Sequence, residues 1–499
     1  MKSLRFLCAL ALLALPLHAA EKNIIFIIAD DLSPTLGCYG DKVIKTPAID
    51  AVARDGMIFR HAFATTASCS ASRSVVLSGL HNHANAQYGH QHSFHHFSAY
   101  PNVAALALPR VLQQTGYRTG HVGKYHVAPE DVFHFERYFK AEGRSPVDMA
   151  DQVAEFIGAK DDKPFFLYYA TADPHRGGGE DQTAPERPNL FGNKPNRGAF
   201  PQVNEVFYKP EDMVVPPFLP DTPTCRAELA QYAQSVSRLD QGVARLVQIL
   251  KDAGLYEKTL LVFTSDHGIA MPGAKTTVYE PGLRVPFIVR NPYAARRGLT
   301  SDAMISHVDI TPSLLDFGGG LDVAAGAPTA LVKNPPAKRK RGDGEMENSG
   351  PQITRYHGRS WVPILAEEKP ASWDVIHASH TFHEIQMYYP MRVVRDRDYK
   401  LIWNIAHPLP FPFASDLWEA PTWQAQFKQG PSASYGVRTV GAYIQRPQFE
   451  LFDMKADPDE RTNLATDPKH KVTLDAYITK LKEFEKQTSD PWIQKWEYE

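Results

Sequence analysis

The chain has little cysteine and no marked excess of charge of either sign. Its 499 residues include 4 cysteines, and 54 Lys and Arg nearly balance 56 Asp and Glu. So few cysteines exclude a disulfide-rich scaffold, and the balanced charge argues against nucleic acid or an anionic membrane as a partner. An anionic substrate would need a local cluster of positive side chains. The length suits one large domain and a smaller one.

Long apolar runs are also missing, except at the N-terminus. There, Lys2 and Arg5 precede an apolar run over residues 6–17, and Ala19 and Ala20 follow it. This layout predicts a signal peptide over residues 1–20 and a secreted or periplasmic mature chain. The run is shorter than the roughly 20 residues that a membrane-spanning helix needs.

Export limits what the cysteines can do. Loss of Cys8 with the leader leaves Cys38, Cys69 and Cys225, an odd number for an oxidising compartment. A Cys38–Cys225 disulfide is one alternative, and two isolated buried thiols are the favoured one. Under either alternative one cysteine is available for other chemistry.

Strand and helix patterns alternate through the first two thirds of the chain. Apolar runs predict buried strands, and 3.6-residue periodicity predicts the helices between them. This alternation predicts an α/β domain with a mostly parallel sheet flanked by helices. The predicted strands cover residues 23–29, 117–122, 164–170, 259–264 and 285–290, and the predicted helices cover residues 47–56 (with Thr46 as N-cap), 103–115, 226–253 and 311–317.

Polar residues follow directly after four of these predicted strands. Because the carboxyl ends of parallel strands meet at one edge of a sheet, where ligands usually bind, these groups should lie together. The sequence therefore predicts a site at that edge. The groups are Asp30-Asp31, Lys124-Tyr125-His126, Asp173-Pro174-His175 and Asp266-His267.

The last third of the chain differs from the rest in composition and in its pattern of apolar residues. Residues 321–349 are rich in Pro, Gly, Lys and Arg, which predicts a mobile surface insertion with a solvated basic run at 338–341. Short alternating segments follow from residue 371, then a helical pattern over 472–487. We therefore expect a catalytic domain over 21–370 and a smaller α+β domain over 371–499.

The sharpest local motif is CSASR at residues 69–73, followed by a helical pattern. Cys69 would then begin a helix, where unpaired amides favour negative charge and are expected to lower the pKa of the thiol. A buried structural cysteine is the ordinary alternative for such a position.

This pentapeptide, after a strand ending in Asp-Asp, resembles the signature of the type I, formylglycine-dependent sulfatases. Most members have proline where this chain has Ala71. Further segments resemble the family, and some resemble its sulfamidase branch. The resemblance implies an alkaline-phosphatase-like fold. The family segments are LGCYG at 36–40, TGYRTGHVGKYH at 115–126, FTSDHG at 263–268, GLRVP at 282–286, HGRSW at 357–361 and ELFDMKADPDERTNLA at 450–465, and the branch segments are HQHSFHHF at 90–97, PFFLYYATADPHR at 164–176, RLDQGV at 238–243 and HEIQMYYPMR at 383–392.

The resemblance also implies a role for each candidate residue. Cys69 would be converted to formylglycine by a maturation enzyme, and a divalent metal, Ca²⁺ or else Mg²⁺, would assist it. The implied metal ligands are Asp30, Asp31, Asp266 and His267. The implied catalytic residues are Arg73 on the formylglycine hydroxyls, Lys124 and Lys275 on the sulfate, His175 as general acid, and His126 beside the diol.

Six histidines between His81 and His96 and the pair His383-Glu384 complete the candidates. The histidine spacing fits no compact zinc ligand set, so we expect a pocket wall rich in histidine. By resemblance, His383 and Glu384 would bind the sugar from the smaller domain; a plain domain contact is the alternative.

The sequence thus predicts a sulfatase acting on a sulfated carbohydrate. Two substrates compete: the N-sulfate of glucosamine in heparan-type chains, and an O-sulfate on another polysaccharide. A phosphoester or phosphonate hydrolase of the same superfamily is a second class, against which the complete pentapeptide argues. A glycan-binding protein without turnover is a third, and the presence of every required residue argues against it.

Overall fold

The structure is a computed structural model that describes residues 22–92, 95–177, 191–194, 200–326 and 355–498. The predicted signal peptide and most of the predicted basic insertion lie outside these residues. Residues Leu321–Gly326, which we expected to open the mobile insertion, form a helix instead. Within the described residues, no helix combines the length and the apolar character needed to cross a bilayer.

A large sheet of eight strands forms the centre of the molecule, in the order β10-β2-β9-β8-β1-β7-β5-β6. Every neighbouring pair is parallel except the two that involve β9, which is antiparallel to both β2 and β8. Its strands are β1 Asn23–Ala29, β2 Met57–Phe63, β5 Arg118–Gly123, β6 Arg137–Phe139, β7 Phe165–Ala170, β8 Thr259–Ser265, β9 Phe287–Arg290 and β10 Leu299–Ser306; a short hairpin, β3 Gln91–His92 with β4 His95–His96, lies outside it.

The unbroken apolar sequence of β1 is explained by burial on both faces. Ile24, Phe26 and Ile28 pack into one hydrophobic core, whereas Ile25 and Ile27 pack into the core on the opposite face. Strands of a parallel sheet covered by helices on both sides are apolar at every position for this reason. β1 is thus the central strand that its sequence predicted.

Helices cover both faces of the large sheet, and the long helix α7 contributes to one core. Its N-cap, Thr222, accepts a hydrogen bond from the amide of Cys225, as a threonine before a helix is expected to do. The helices are α1 Pro47–Arg54, α2 Cys69–Ser78, α3 Asn82–Asn85, α4 Leu108–Gln114, α5 Pro146–Gln152, α6 Ala154–Ile157, α7 Pro223–Asp252, α8 Glu280–Leu283, α9 Ile310–Gly318, α10 Leu321–Gly326, α11 Ser415–Trp418, α12 Pro421–Phe427, α13 Val440–Ile444, α14 Lys471–Gln487 and α15 Lys495–Tyr498.

A smaller antiparallel sheet, in the order β11-β12-β13-β16, follows in the last third of the chain. One of its faces packs on α14, and the other packs against the region of the large sheet through a core that includes Phe63, Met304 and Ile402. The boundary at residue 370 stays a prediction. The strands are β11 Val375–His380, β12 Met391–Asp396, β13 Tyr399–Asn404 and β16 Phe449–Asp453, with a separate hairpin of β14 Ser434–Tyr435 and β15 Arg438–Thr439.

The predicted fold class, a mostly parallel sheet flanked by helices with a smaller α+β part, is confirmed. Some local predictions were wrong. The helix expected over 103–115 is split into a 3-10 turn at Pro101–Ala105 and α4, which begins at Leu108 just before Pro109. Thr46 is the N-cap residue of α1, as predicted, but its side chain makes no capping bond and its hydroxyl donates to Asp50 instead.

Candidate active site

The four polar groups predicted at strand ends do meet at one edge of the large sheet. Their strands, β8, β1, β7 and β5, are direct neighbours in that order and run parallel. The residues that follow them therefore emerge side by side. Helix α2, which is buried along its whole length, begins at Cys69 against this cluster.

Three carboxylates form the centre of the site. Asp30, Asp31 and Asp266 are completely buried, and each offers an oxygen within 4.8 Å of the other two. Backbone geometry fixes them: the amides of Asp31 and His267 both donate to Asp266 Oδ1 at 3.0 Å. Asp31 has a positive φ of 65°, a conformation that turns the chain sharply after β1.

His267 lies against the same carboxylates. Its Nε2 is 3.2 Å from Asp31 Oδ1 and 4.0 Å from Asp266 Oδ1, and its Nδ1 is 3.0 Å from the carbonyl oxygen of Gly268. A proton on Nδ1 that is donated to this carbonyl leaves the lone pair of Nε2 directed at the carboxylates. The four predicted metal-ligand residues are therefore together.

Cys69 borders this group at the N-terminus of α2. Its Sγ lies 3.3 Å from His267 Nε2 and 3.8 Å from Asp31 Oδ1, and the residue has no exposed surface. Burial raises the pKa of the thiol well above its usual range, although Lys124 and Lys275 act to lower it. The expectation of a lowered thiol pKa was wrong, because desolvation outweighs the helix terminus and the neighbouring cations. An unmodified Cys69 is a neutral thiol at pH 7.

Three cationic side chains balance the carboxylates. Arg73 Nε donates to Asp266 at 3.0 Å and its Nη2 donates to Asp30 at 3.2 Å. Lys124 Nζ lies 2.6 Å from Asp30 Oδ2, and Lys275 Nζ lies 3.1 Å from Asp31 Oδ2. Buried charges need such partners, since an unpaired one would be strongly disfavoured.

The carboxylates differ in how their protonation is set. Burial acts to raise the pKa of Asp30, but Lys124, His175 and Arg73 together hold it well below its usual range. Burial and the charge of Asp30 raise the pKa of Asp266 to about 6. Crowded, buried carboxylates of this kind are a donor set that a hard divalent cation would stabilise. The residues present therefore fit a metal ion.

His175 lies beside Lys275, with 3.1 Å between its Nε2 and Lys275 Nζ. Burial and the charges of Lys275 and Lys124 lower its pKa well below the usual range. The turn that carries it is fixed by Asp173, whose carboxylate accepts from Arg238 at 2.7 and 2.8 Å. This turn places His175 next to the carboxylates, as its strand-end position predicted.

Among the described residues, His126 and His383 lie near the start of α2, whereas Glu384 is hydrogen-bonded to its near neighbour in the chain, Gln386. The rings of His126 and His383 both pack on His90, with centroid distances of 4.8 and 3.8 Å. His383 Nδ1 is 3.0 Å from Ser68 Oγ, directly before Cys69. The carboxylate of Glu384 accepts from Gln386. The smaller sheet region thus contributes His383 to the wall of the site.

Two further histidines of the predicted wall, His81 and His83, make a different contact. His81 and His83 stack on each other and pack against His357 and Phe484, away from Cys69. Among the described residues, the groups that could hold a metal include none of these histidines. Cys38 and Cys225 are free thiols, so the favoured alternative of two isolated cysteines is correct, but only Cys225 is buried and Cys38 is half-buried.

Sequence reasoning missed two residues of the site. Ser72, inside the CSASR motif, donates to the carbonyl of Asp266 at 2.5 Å and could have been suspected from its helical position. Asp416 Oδ2 lies 2.9 Å from Lys275 Nζ. Nothing in the sequence marked Asp416, which lies 141 positions further along the chain.

Comparisons with known proteins agree with this geometry. The family model "Sulfatase" matches residues 22–320. The human N-sulphoglucosamine sulphohydrolase is 36% identical over 97% of this chain and 94% of its own length. A solved protein in complex with its substrate D-glucosamine-2-N,6-O-disulfate has a TM-score of 0.62 at 22% identity, covering 94% of this chain and 98% of that one. The phosphonate monoester hydrolase of Agrobacterium radiobacter has a TM-score of 0.62 at 18% identity, covering 93% and 96%.

The two solved structures show a shared fold, which sulfatases and a phosphonate hydrolase have in common. The family match and the extended identity to the human sulphohydrolase go further than fold. With three carboxylates, a cysteine-initiated helix and two lysines gathered at one sheet edge, the chain belongs to the sulfatase family of hydrolases.

Proposed function

We propose that this chain hydrolyses the N-sulfate of glucosamine residues in heparan-type chains. The observation that carries the proposal is the grouping of Cys69 with Asp31, Asp266 and His267, within 4.8 Å, in a chain 36% identical to an N-sulphoglucosamine sulphohydrolase over nearly its whole length. The net charge of the chain is −2, so the positive charge that an anionic substrate needs has to be local, and Lys124 and Lys275 supply it.

A divalent cation is proposed as the cofactor, held by Asp30, Asp31, Asp266 and His267. Three carboxylates favour Ca²⁺ or Mg²⁺, and the single ring nitrogen is compatible with either as one ligand of several. A cation there would supply Lewis-acid polarisation of a sulfate oxygen. Arg73 orients two of the carboxylates through its bonds to Asp30 and Asp266.

Cys69 is proposed to act after conversion to formylglycine by a maturation enzyme, because its neutral buried thiol is a weak nucleophile. Hydrated formylglycine would supply a hydroxyl nucleophile beside the carboxylates. Lys124 and Lys275 would neutralise the sulfate oxygens. A bound sulfate anion would also offset the effect of these lysines on the pKa of His175, which would then give a proton to the leaving group. His126 would assist the diol, and His383 would line the sugar pocket.

The site of action is proposed to be outside the cytoplasm, in the periplasm or the medium. The leader over residues 1–20 supports export.

Sulfate release from a panel of defined sugars tests the proposal. We expect release from N-sulfoglucosamine and none from the protein with Cys69→Ala, which should keep the melting temperature of the wild type. Mass spectrometry of the Cys69 peptide from the native host should give the mass of the aldehyde. Release only from an O-sulfated sugar would move the chain to the O-sulfatases, and hydrolysis of a phosphonate ester alone would remove it from sulfate chemistry.

A further inference from the structure

An acidic side chain reaches the candidate active site from the last third of the chain. Asp416 lies on α11, and its Oδ2 is 2.9 Å from Lys275 Nζ. The same nitrogen is 3.1 Å from His175 Nε2 and 3.1 Å from Asp31 Oδ2. Asp416 and the proposed proton donor His175 therefore contact the same lysine nitrogen.

Asp416 is the more open of the two carboxylates on Lys275. Its side chain is 20% exposed, whereas those of Lys275 and Asp31 are 1% and 0% exposed. Within the described part of the chain, Oδ2 of Asp416 accepts a hydrogen bond from Lys275, whereas Oδ1 accepts none. A partly open carboxylate with one oxygen left over can accept a hydrogen bond from a bound molecule.

The position of Asp416 is fixed by packing. Its neighbours Ala414 and Leu417 are buried against Ala270 and Met387. Ala270 follows β8 and the metal-ligand pair, and Met387 follows His383 in the chain. The carboxylate is thus held in a fixed position relative to both the metal-ligand pair and His383, as a group that recognises a substrate needs to be.

The two candidate substrates differ in the group that leaves. When an O-sulfate is cleaved, the sugar leaves as a neutral alcohol. When an N-sulfate is cleaved, the S–N bond breaks, its electron pair stays on nitrogen, and sulfur gains a bond to oxygen. One proton from His175 and one from solvent then give an ammonium, so that an N-sulfate anion and one water become an ammonium and a sulfate dianion.

We infer that Asp416 is a specificity-determining residue that selects substrates with an amine leaving group. The inference rests on the proposed function and refines it. A partly exposed carboxylate on the same lysine as His175 stabilises the positive charge that forms on an amine nitrogen, and an alcohol oxygen forms no such charge. Asp416 also forms an ion pair with Lys275. Together with Asp31, it balances the charge of this lysine until a sulfate binds.

The matched variants are Asp416→Asn, which keeps the shape and removes the charge, and Asp416→Glu, which restores the charge. For each, kcat and KM are measured on N-sulfoglucosamine and on glucosamine 6-sulfate. Calorimetry measures binding of the product glucosamine and of N-acetylglucosamine, which carries no amine. Asp398→Asn is the control, because Asp398 is a surface acid that is 57% exposed and pairs with Lys455.

In the Asp416→Asn variant we expect the ratio of kcat/KM for the N-sulfate to that for the O-sulfate to fall about tenfold. Glucosamine affinity should fall as well, whereas N-acetylglucosamine affinity should not. The glutamate variant should recover part of the ratio, and the Asp398 control should match the wild type.

Equal losses of kcat/KM on both sugars would show that Asp416 acts only as an ion-pair partner of Lys275 and would overturn the inference. An unchanged ratio of the two kcat/KM values with no loss on either sugar would overturn it as well. If the asparagine variant does not fold, a glutamate variant with no preference between glucosamine and N-acetylglucosamine would overturn it equally. A wild type that releases sulfate from neither sugar would instead sink the proposed function, while the difference in amine binding would still test Asp416.

Discussion

At the scale of single residues, the site is a balance of buried charges. Asp30, Asp31 and Asp266 face Arg73, Lys124 and Lys275, with little or no exposure on any of them. A divalent cation and the sulfate dianion that forms as product would together leave this balance unchanged, because their charges cancel. Removing one partner would leave an uncompensated charge in a dry environment.

Loss of Lys275 should therefore reduce catalysis strongly. For Lys275→Ala we expect transition-state stabilisation to fall by about 2.7–4 kcal/mol, which is a loss of about 10²–10³ in kcat/KM on the preferred sulfated sugar. The control is Lys455→Ala, since Lys455 forms an exposed ion pair with 72% of its side chain accessible. A Lys275 variant with less than a tenfold loss would place sulfate recognition elsewhere.

Removal of the metal should lower the melting temperature, because a bound cation reduces the repulsion among the three buried carboxylates and thereby stabilises the folded state. Calorimetry should detect Ca²⁺ or Mg²⁺ binding to the chelator-treated wild type and not to Asp266→Asn. Asp459→Asn, at an exposed ion pair with Arg461, should bind as the wild type does. Undiminished binding by the Asp266 variant would contradict the assigned ligand set.

The sequence predicted the strand-end residues but not Asp416. Adjacent parallel strands bring the residues that follow them to one edge, so Asp31, His175 and Asp266 could be grouped from their positions alone. Asp416 reaches the site because α11 packs on Ala270 and Met387, and such a tertiary contact leaves no periodic signal. The pKa of Cys69 was likewise mispredicted, because the extent of its burial is not encoded in the five residues around it.

At the scale of elements, the turn after β8 depends on a glycine. A Cβ on Gly268 would lie 1.8 Å from the carbonyl oxygen of Pro281, so the two backbone segments can approach only without a side chain. The amide of Gly268 also donates to the carbonyl of Gly282. This turn carries Asp266 and His267.

Gly268→Ala should therefore displace the turn, lowering the free energy of unfolding by about 1–3 kcal/mol and sulfate release more severely. Chemical denaturation and the release assay measure the two effects. Gly158→Ala is the control, because its Cβ would come no closer than 3.4 Å to a neighbour and its φ is −83°. Equal behaviour of the two variants would contradict the close approach.

Strands were predictable from the sequence where they are buried along their whole length, and they were missed toward the edge of the large sheet. β1, β7 and β8 are buried along their length, and apolar runs identify such strands. β2 and β10 were missed, because they lie toward one edge and carry partly exposed polar residues. The antiparallel direction of β9 is set by its two neighbours, which no residue of β9 itself encodes.

At the scale of the whole molecule, a histidine cluster lies between the first part of the chain and α14. His81 and His83 pack with His357, and both contact Phe484 of α14, on which His377 also stacks at 3.9 Å. Burial lowers the pKa of His83 to about 4, despite Asp490, and the pKa values of His357 and His377 to about 3.

Stability should therefore decrease as the solution is acidified. Because the unfolded chain takes up protons near pH 6.5 and the folded cluster does not, the folded state loses stability as pH falls from 6.5 toward 4. The His83 shift alone corresponds to about 3 kcal/mol. Urea denaturation between pH 7 and pH 4 measures the effect. The dependence should be shallower in His377→Phe, and an equally steep one would contradict the role of the cluster.

The complete burial of Cys69 determines when its sulfur can be reached. All ten residues of α2 are buried, and Asp31 after β1 and His267 after β8 lie against its first residue, Cys69. A macromolecular catalyst has no route to that sulfur in the finished molecule, so any enzymatic oxidation has to occur on the nascent or still unfolded polypeptide. On the proposed formylglycine mechanism, a molecule that folds before this encounter would stay inactive, and the fraction of working enzyme in a preparation would depend on whether oxidation or folding comes first during biosynthesis.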